Sequence, residues 1–242
     1  MYTQKNVRLT DLNQEGGRAI LGWDSSAYTV FKNTLSKGLA GSFETAHFAR
    51  LQKALSELLK SERKIILFSS KRAAMEAALL LDANSASVYK PFVGVDYSAV
   101  RNVIVAPPLP WTNNFWILAA SPLGQPSDSG LAANDSSLAA ALVSEKFPPA
   151  LLAAAARSVY DLIAALKERQ EKDFFIYDKV LTKFFERRSC WLRPKVPQEK
   201  YDGFVLACLD AGVAINPDYN ADSIVPYGAD KGVLKKMGGI NV

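Results

Sequence analysis

Histidine is almost absent from this chain of 242 residues: a single one, His47, stands in "FETAHFARL". A Ser-His-Asp relay or a histidine-built metal centre would have to run through that one side chain, which argues against both chemistries. Cysteine is scarce as well. Cys190 and Cys208 fall in different predicted elements and match neither a disulfide framework nor zinc-ligand spacing, so they read as buried small apolar groups. The first residues, "MYTQKNVRLTDL", lack the apolar core of a secretory signal. The longest greasy segment, Phe147 to Leu166, is interrupted by Pro148, Pro149, Arg157 and Asp161, so a membrane span is not expected. Internal repeats and low-complexity tracts are missing too. The reading is of a soluble, cytoplasmic protein.

Charge of one sign is not concentrated anywhere. The 29 Lys and Arg exceed the 24 Asp and Glu, for a net +5, but the two signs are interleaved and no basic stripe follows a predicted helix face. Nucleic acid is therefore not the expected partner. A phosphorylated small molecule needs only a local positive site. With 49% hydrophobic residues there is ample material for a core.

Residues 1 to 42 are polar and punctuated by glycine, which suggests an ordered arm. From 43 to 61 apolar side chains recur three and four apart, the spacing of a helix. "KIILF" reads as a short buried strand, followed by the helix "AAMEAALLLDA". "VRNVIVAP" and "FWILAAS" read as two further strands on either side of "PLPWTNN", with residues 88 to 97 irregular between the first helix and these strands. Strand, helix, strand in this order favours a parallel sheet. A Gly-, Ser- and Pro-rich loop over 122 to 138 is the best boundary in the chain. Beyond it come a long helix with proline in its first turn, "PPALLAAAARSVYDLIAALKERQ", a helical reading for "DFFIYDKVLTKFFERR", the strand "SCWLRPKV", a helix stopped at Gly212, and the strand "VAINP". The expected division is an arm over 1–42, a shortened large α/β domain over 43–143 and a small α+β domain over 144–242.

The stretch "IILFSSKRAAMEAALLL" places four small or basic polar residues where a strand hands over to a helix. Ser69 or Ser70 can cap the helix while free backbone N–H groups point outward beside Lys71 and Arg72, which makes an anion site. An ordinary capped helix with solvated cations explains the same residues, since no glycine-rich turn precedes them. In "PPLPWTNNFW", Trp111 on a proline-flanked turn can stack on an aromatic ring, and Asn113 or Asn114 can donate to it. In an open α/β sheet this turn would lie near the same end as S-S-K-R.

The order of strand, small-polar loop, Ala-rich helix, strand, Pro-x-Trp-x-Asn turn and strand resembles the first part of the large domain of fold-type I pyridoxal-phosphate enzymes, the aspartate aminotransferase group. Residues 150 to about 226 resemble that family's small C-terminal domain. The resemblance implies a parallel-rich, three-layer α/β sheet domain with a small α+β domain, and a homodimer with sites at the subunit boundary. It implies pyridoxal phosphate as cofactor, held at Ser69, Ser70, Lys71 and Arg72 under Trp111 with Asn113 nearby, and an amino acid as substrate.

The chain is shorter than is usual in that family. The missing part falls near 122 to 143, where the family carries the Asp for the pyridine nitrogen and the Schiff-base Lys. Lys146 and Lys37 are the local candidates for the lysine, and the substrate-carboxylate Arg has no clear counterpart in "DSIVPYGADKGVLKK", with Arg193 on a predicted strand. Two functions follow from the resemblance: an aminotransferase-like enzyme, or a noncatalytic binding or assembly protein that keeps the fold without the lysine. An unrelated α/β enzyme on a phosphorylated substrate, with Asp96 or Glu76 as acid–base groups, is a third.

Overall fold

The computed structural model describes residues 4, 6–22, 24–38, 46–111, 115–122, 143–176 and 178–241. In chain order the elements begin with β1 (Thr10–Asp11), α1 (Gly16–Leu21), α2 (Ala27–Leu35), α3 (Ala46–Leu58), β2 (Lys64–Phe68) and α4 (Lys71–Leu81). Then follow β3 (Ala86–Val88), β4 (Asn102–Val105), β5 (Trp116–Ala120), α5 (Pro149–Glu168) and α6 (Asp178–Phe184). The chain continues through β6 (Phe185–Arg188), β7 (Trp191–Pro194), α7 (Tyr201–Asp210), β8 (Val213–Ala214), β9 (Ser223–Ile224) and α8 (Lys231–Lys236). It forms two compact units, one of residues 24–89 with 95–164, the other of residues 1–23 with 90–94 and 165–242. The stretch 1–42 is thus shared between the units, and α5 up to residue 164 packs with the strands that precede it.

The first of these units is a helix–sheet–helix sandwich. Its four strands lie in the order β2, β5, β4, β3. β3 pairs parallel to β4, while β5 runs antiparallel to both β2 and β4, so three of the four strands share one direction. The α/β class expected from the sequence is present, and its sheet is mixed where strand–helix–strand order alone suggested uniformly parallel pairing. Alternation along the strands divides their side chains between two cores. Ile65, Leu67, Val103, Val105, Ile117 and Ala119 pack with α3 and the alanine face of α5. Phe68, Ile104, Trp116 and Leu118 pack with Ala74, Ala77 and Ala78 of α4. Small residues at helical spacing let α4 approach the sheet closely.

α5 is the one described helix long and apolar enough to cross a membrane, and two thirds of its apolar window (67%) is buried within the fold. Its Arg157 and Asp161 pair at 2.8 Å, and Asp161 Oδ2 accepts from the Ser26 N–H at 2.9 Å, which anchors the start of α2. Arg63, fully buried ahead of β2, donates through Nη1 to the carbonyls of Val100 (2.7 Å) and Arg101 (2.9 Å) and to Ser121 Oγ (3.1 Å). Its Nη2 donates to the Tyr97 carbonyl at 2.6 Å. This side chain therefore ties the loop before β4 and the end of β5 to the start of β2.

The second unit has an antiparallel sheet β6–β7–β9 and a parallel pair β1–β8. Here the sequence reading is corrected. "FERR", read as the end of a helix, is strand β6, because Phe185–Arg188 pairs with Trp191–Pro194 across a turn in which Ser189 takes φ +61°. The local composition of those residues suits a helix, but the cross-strand ladder decides. In the first unit, β3 (Ala86–Val88) is an edge strand, although Val88 falls in the stretch read from the sequence as irregular. Phe184, Phe185, Tyr201, Phe204 and Cys208 form the centre of the second unit's core. Gly16 opens α1 against Pro91 and Trp191, where a Cβ would meet Trp191 Cζ2 at 2.7 Å.

Both cysteines are free and buried, as their spacing implied. Burial pushes the Cys190 thiol up to about 11 and the Cys208 thiol up to about 12.

Candidate functional site

β2 ends at Phe68 and α4 begins at Lys71, so S-S-K-R occupies the strand-to-helix turn as its pattern predicts. Ser70 is the N-cap: its backbone is extended (φ −136°, ψ 147°) and its Oγ accepts from the Ala73 N–H at 3.1 Å. Ser69 faces a different partner. Its N–H and its Oγ both donate to Glu145 Oε1, at 3.0 and 3.1 Å. Glu145 is carried there by main-chain and side-chain bonds alongside β2. The Glu145 N–H donates to the Leu67 carbonyl at 2.9 Å, and Ser144 Oγ accepts from the Leu67 N–H at 3.1 Å. A carboxylate thus lies where the donors of the turn would meet an incoming anion.

The two cations of the turn are also engaged. Lys71 Nζ stands 5.0 Å from the centroid of Trp116, and Arg72 Nε pairs with Glu76 Oε1 at 2.7 Å, four residues along α4. That partner holds the Arg72 guanidinium above its ordinary value by hydrogen bond and charge. The Arg72 side chain is 89% exposed, out on the helix surface.

Trp116 reaches Lys71 because β5 is antiparallel to β2, which sets the first residue of one strand opposite the last of the other: Phe68 pairs with Trp116. β4 ends at this same end, with Val105 opposite Ile117. The turn that follows β4 therefore rises where the sequence placed it. Trp111, however, packs on Phe31 with ring centroids 5.3 Å apart and belongs to the core on the α3 and α5 side of the sheet, whereas α4 covers the other side. Asn113 and Asn114 lie outside the described residues. The tryptophan beside S-S-K-R is thus one that sequence order did not single out.

Lys37 and Lys146 are both exposed, and neither is among the residues that bond to Ser69 or Ser70, although Lys146 directly follows Glu145, the partner of Ser69. From Asn102 to Glu145 the sequence contains no lysine at all. Arg193 donates to the Asn220 carbonyl at 2.6 Å and approaches Asp222 at 3.7 Å. Asp96 accepts from the Ser98 hydroxyl and N–H at 2.7 and 3.0 Å, and these bonds hold its carboxyl below the ordinary range. A carboxylate kept ionised by two local donors is a turn cap, and Glu76 is committed to Arg72. His47 is half-buried on α3, and among the described residues no group of three His, Cys, Asp or Glu side chains could hold a metal ion. Glu145 is the residue that sequence reasoning missed. It is 76 positions from Ser69, and nothing local to it signals the contact.

These features define a class by fold: a mixed α/β sheet unit and a smaller sheet unit of the kind found in fold-type I pyridoxal-phosphate enzymes. Similar solved structures include a serine palmitoyltransferase variant from S. paucimobilis with a bound PLP–myriocin aldimine, at TM-score 0.62 and 11% identity, covering 95% of this chain and 86% of that one. Acetylornithine aminotransferase from Elizabethkingia anophelis is similar at TM-score 0.60 and 11% identity, covering 98% and 90%. Ornithine aminotransferase from Plasmodium yoelii is similar at TM-score 0.58 and 9% identity, covering 98% and 88%. At such identities the likeness is one of fold. An uncharacterized protein of Treponema pallidum (strain Nichols) is 27% identical, over 93% of this chain and 86% of its own length. No model of a known protein family matches.

Pyridoxal phosphate does not fit the turn as it is arranged. Its phosphate would have to displace Glu145 from the Ser69 donors or share them with a second negative charge. The ring would find Trp111 in the core on the other side of the sheet, and the first lysine after β4 is the exposed Lys146, next to Glu145.

Proposed function

We propose that this chain uses the fold of the pyridoxal-phosphate transferases as a noncatalytic binding or assembly scaffold, with its own Glu145 carboxylate standing where a cofactor phosphate would be bound. The double donation from Ser69 to Glu145 Oε1, at 3.0 and 3.1 Å, carries this reading. A carboxylate delivered by its own chain is present at high effective concentration and outcompetes a dilute external anion for the same donors. The expected working state is a cytoplasmic homodimer, measurable by light scattering on the eluting protein.

The full chain should be incubated with pyridoxal phosphate, reduced with borohydride and mapped by peptide analysis. The scaffold reading expects no reducible band near ~420 nm, since without an aldimine the cofactor's chemistry has no entry. Titration with inorganic phosphate should show weak binding to the native chain and tighter binding to Glu145→Ala. A band fixed onto Lys146 or Lys37 would instead establish an enzyme that moves an amino group between an amino acid and a 2-oxo acid. Equal phosphate binding by Glu145→Ala and the native chain would mean that S-S-K-R is a helix cap and nothing more.

A further inference from the structure

The second unit carries an open groove of about 470 Å³ where the end of α6, the turn after β7 and residues 238–241 meet. It is lined among others by Lys183, Phe184, Lys195, Val196, Pro197 and Ile240. Its volume falls within the roughly 300–1,000 Å³ of ligand sites. Phe184 and Val196 are buried, Ile240 is half-buried, and Lys183 and Lys195 are exposed. The groove therefore has an apolar floor and two solvent-reached ammonium groups at its mouth.

This positive charge is not neutralised locally. No Asp or Glu is among the described residues that line the groove. The acids of the flanking elements are taken, Asp178 by Arg187 and Glu186 by Arg188. Lys183 has no ion-pair partner among the described residues, while Lys195 Nζ donates to the Thr182 carbonyl at 2.9 Å. That bond holds the Lys195 head over the last turn of α6 and leaves its other ammonium donors available. The Lys195 N–H donates to the Phe184 carbonyl at 2.8 Å, which continues the pairing of β6 with β7 by one position and sets the two lysine-bearing segments side by side.

Two cations beside an apolar floor select an anion that carries apolar groups. A sugar–phosphate strand brings the charge but nothing to cover Phe184, Val196, Pro197 and Ile240. A small molecule in so open a groove would keep much of its surface in water, where closed sites bury about 70–90% of a ligand. An extended segment of a partner chain can lie along it, its side chains alternating between floor and mouth. From this we infer that the groove docks a short acidic segment of a partner protein, with aliphatic side chains on the floor and carboxylates toward Lys183 and Lys195. The assignment gives a noncatalytic scaffold a surface for its partner. It does not rest on Ser69 or Glu145, so either reading can fail without the other.

The test is fluorescence anisotropy of a fluorescein-labelled hexapeptide of alternating glutamate and leucine, titrated with the full chain at low salt. It should bind saturably, and added salt should weaken it, because the contacts with the lysines are exposed. A peptide with glutamine for glutamate should bind roughly fivefold or more weakly, and one with serine for leucine roughly tenfold or more weakly, since burial on the floor is lost. Lys183→Gln and Lys195→Gln should each weaken the glutamate–leucine peptide roughly two- to fivefold, the worth of an exposed ion pair. Lys53→Gln, exposed on α3 in the other unit, should leave it unchanged. Lys183 is bound to nothing, so its variant keeps the test decisive if Lys195→Gln disturbs the end of α6. Absence of saturable binding, equal binding of the glutamine or the serine peptide, or a loss in Lys53→Gln as large as in Lys183→Gln would each overturn the assignment. Tighter binding of an oligothymidylate of equal charge would overturn it too, in favour of a nucleic-acid site.

Discussion

Replacing Arg63 with methionine should destabilise the α/β unit far more than its single position suggests. The guanidinium has no carboxylate partner among its bonds; it is held by the carbonyls of Tyr97, Val100 and Arg101 and by Ser121 Oγ, at 2.6 to 3.1 Å. Methionine fills much of the stem's volume but donates nothing. The Arg101 carbonyl would keep the Ser121 N–H at 2.8 Å, and the Tyr97 carbonyl the Val100 N–H at 3.3 Å, whereas the Val100 carbonyl would lose its 2.7 Å donor. Bonds to a charged donor contribute about 1.5–3 kcal/mol each, and removing the buried ion recovers several kcal/mol of desolvation. The balance is a loss of about 3 kcal/mol, a large share of the roughly 5–15 kcal/mol that holds a domain together. Urea unfolding followed by tryptophan fluorescence reads this as a lower midpoint at unchanged slope. Hydrogen exchange localises it, with faster exchange at the amides of β2 and β5. Arg63→Lys, with three donors on a compact head, should recover part of the loss. A destabilisation of Arg63→Met below about 1 kcal/mol would refute the reasoning, since the carbonyls would then have found water or one another.

Gly22→Ala should be poorly tolerated, because Gly22 has φ +59° and an added Cβ would lie 2.3 Å from the Tyr227 carbonyl oxygen; a loss above about 1 kcal/mol is expected by thermal denaturation. The two buried thiols make stability fall at alkaline pH. Their folded values, about 11 for Cys190 and about 12 for Cys208, lie above the ordinary thiol value, so the native state holds protons that the unfolded chain releases. That contribution is complete below the ordinary thiol range and is lost as pH rises through 11 to 12, which a series of urea midpoints from neutral to alkaline pH would follow. The same burial predicts that neither thiol reacts with a disulfide reagent at neutral pH until denaturant is added. Fast labelling of the native chain would contradict that environment.

Much of the local structure is written in short-range pattern. The short apolar run of "KIILF", the alanines of α4 at helical spacing and a serine before them indicate a strand, a helix and the cap between them without reference to the rest of the chain. The burial of both cysteines and the helical reading of α5 were legible in the same way. Tertiary pairing decided the rest. The antiparallel course of β5 brings Trp116 to Lys71, and the β6–β7 ladder makes a strand of residues whose composition suits a helix. Glu145 meets Ser69 across 76 positions, and the groove joins residues 183–184 and 195–197 to Gly238, Ile240 and Asn241. Sequence spacing carries the preferences of a residue's near neighbours, but which carboxylate reaches which donor depends on chain direction and register, and these are settled only when the sheet closes.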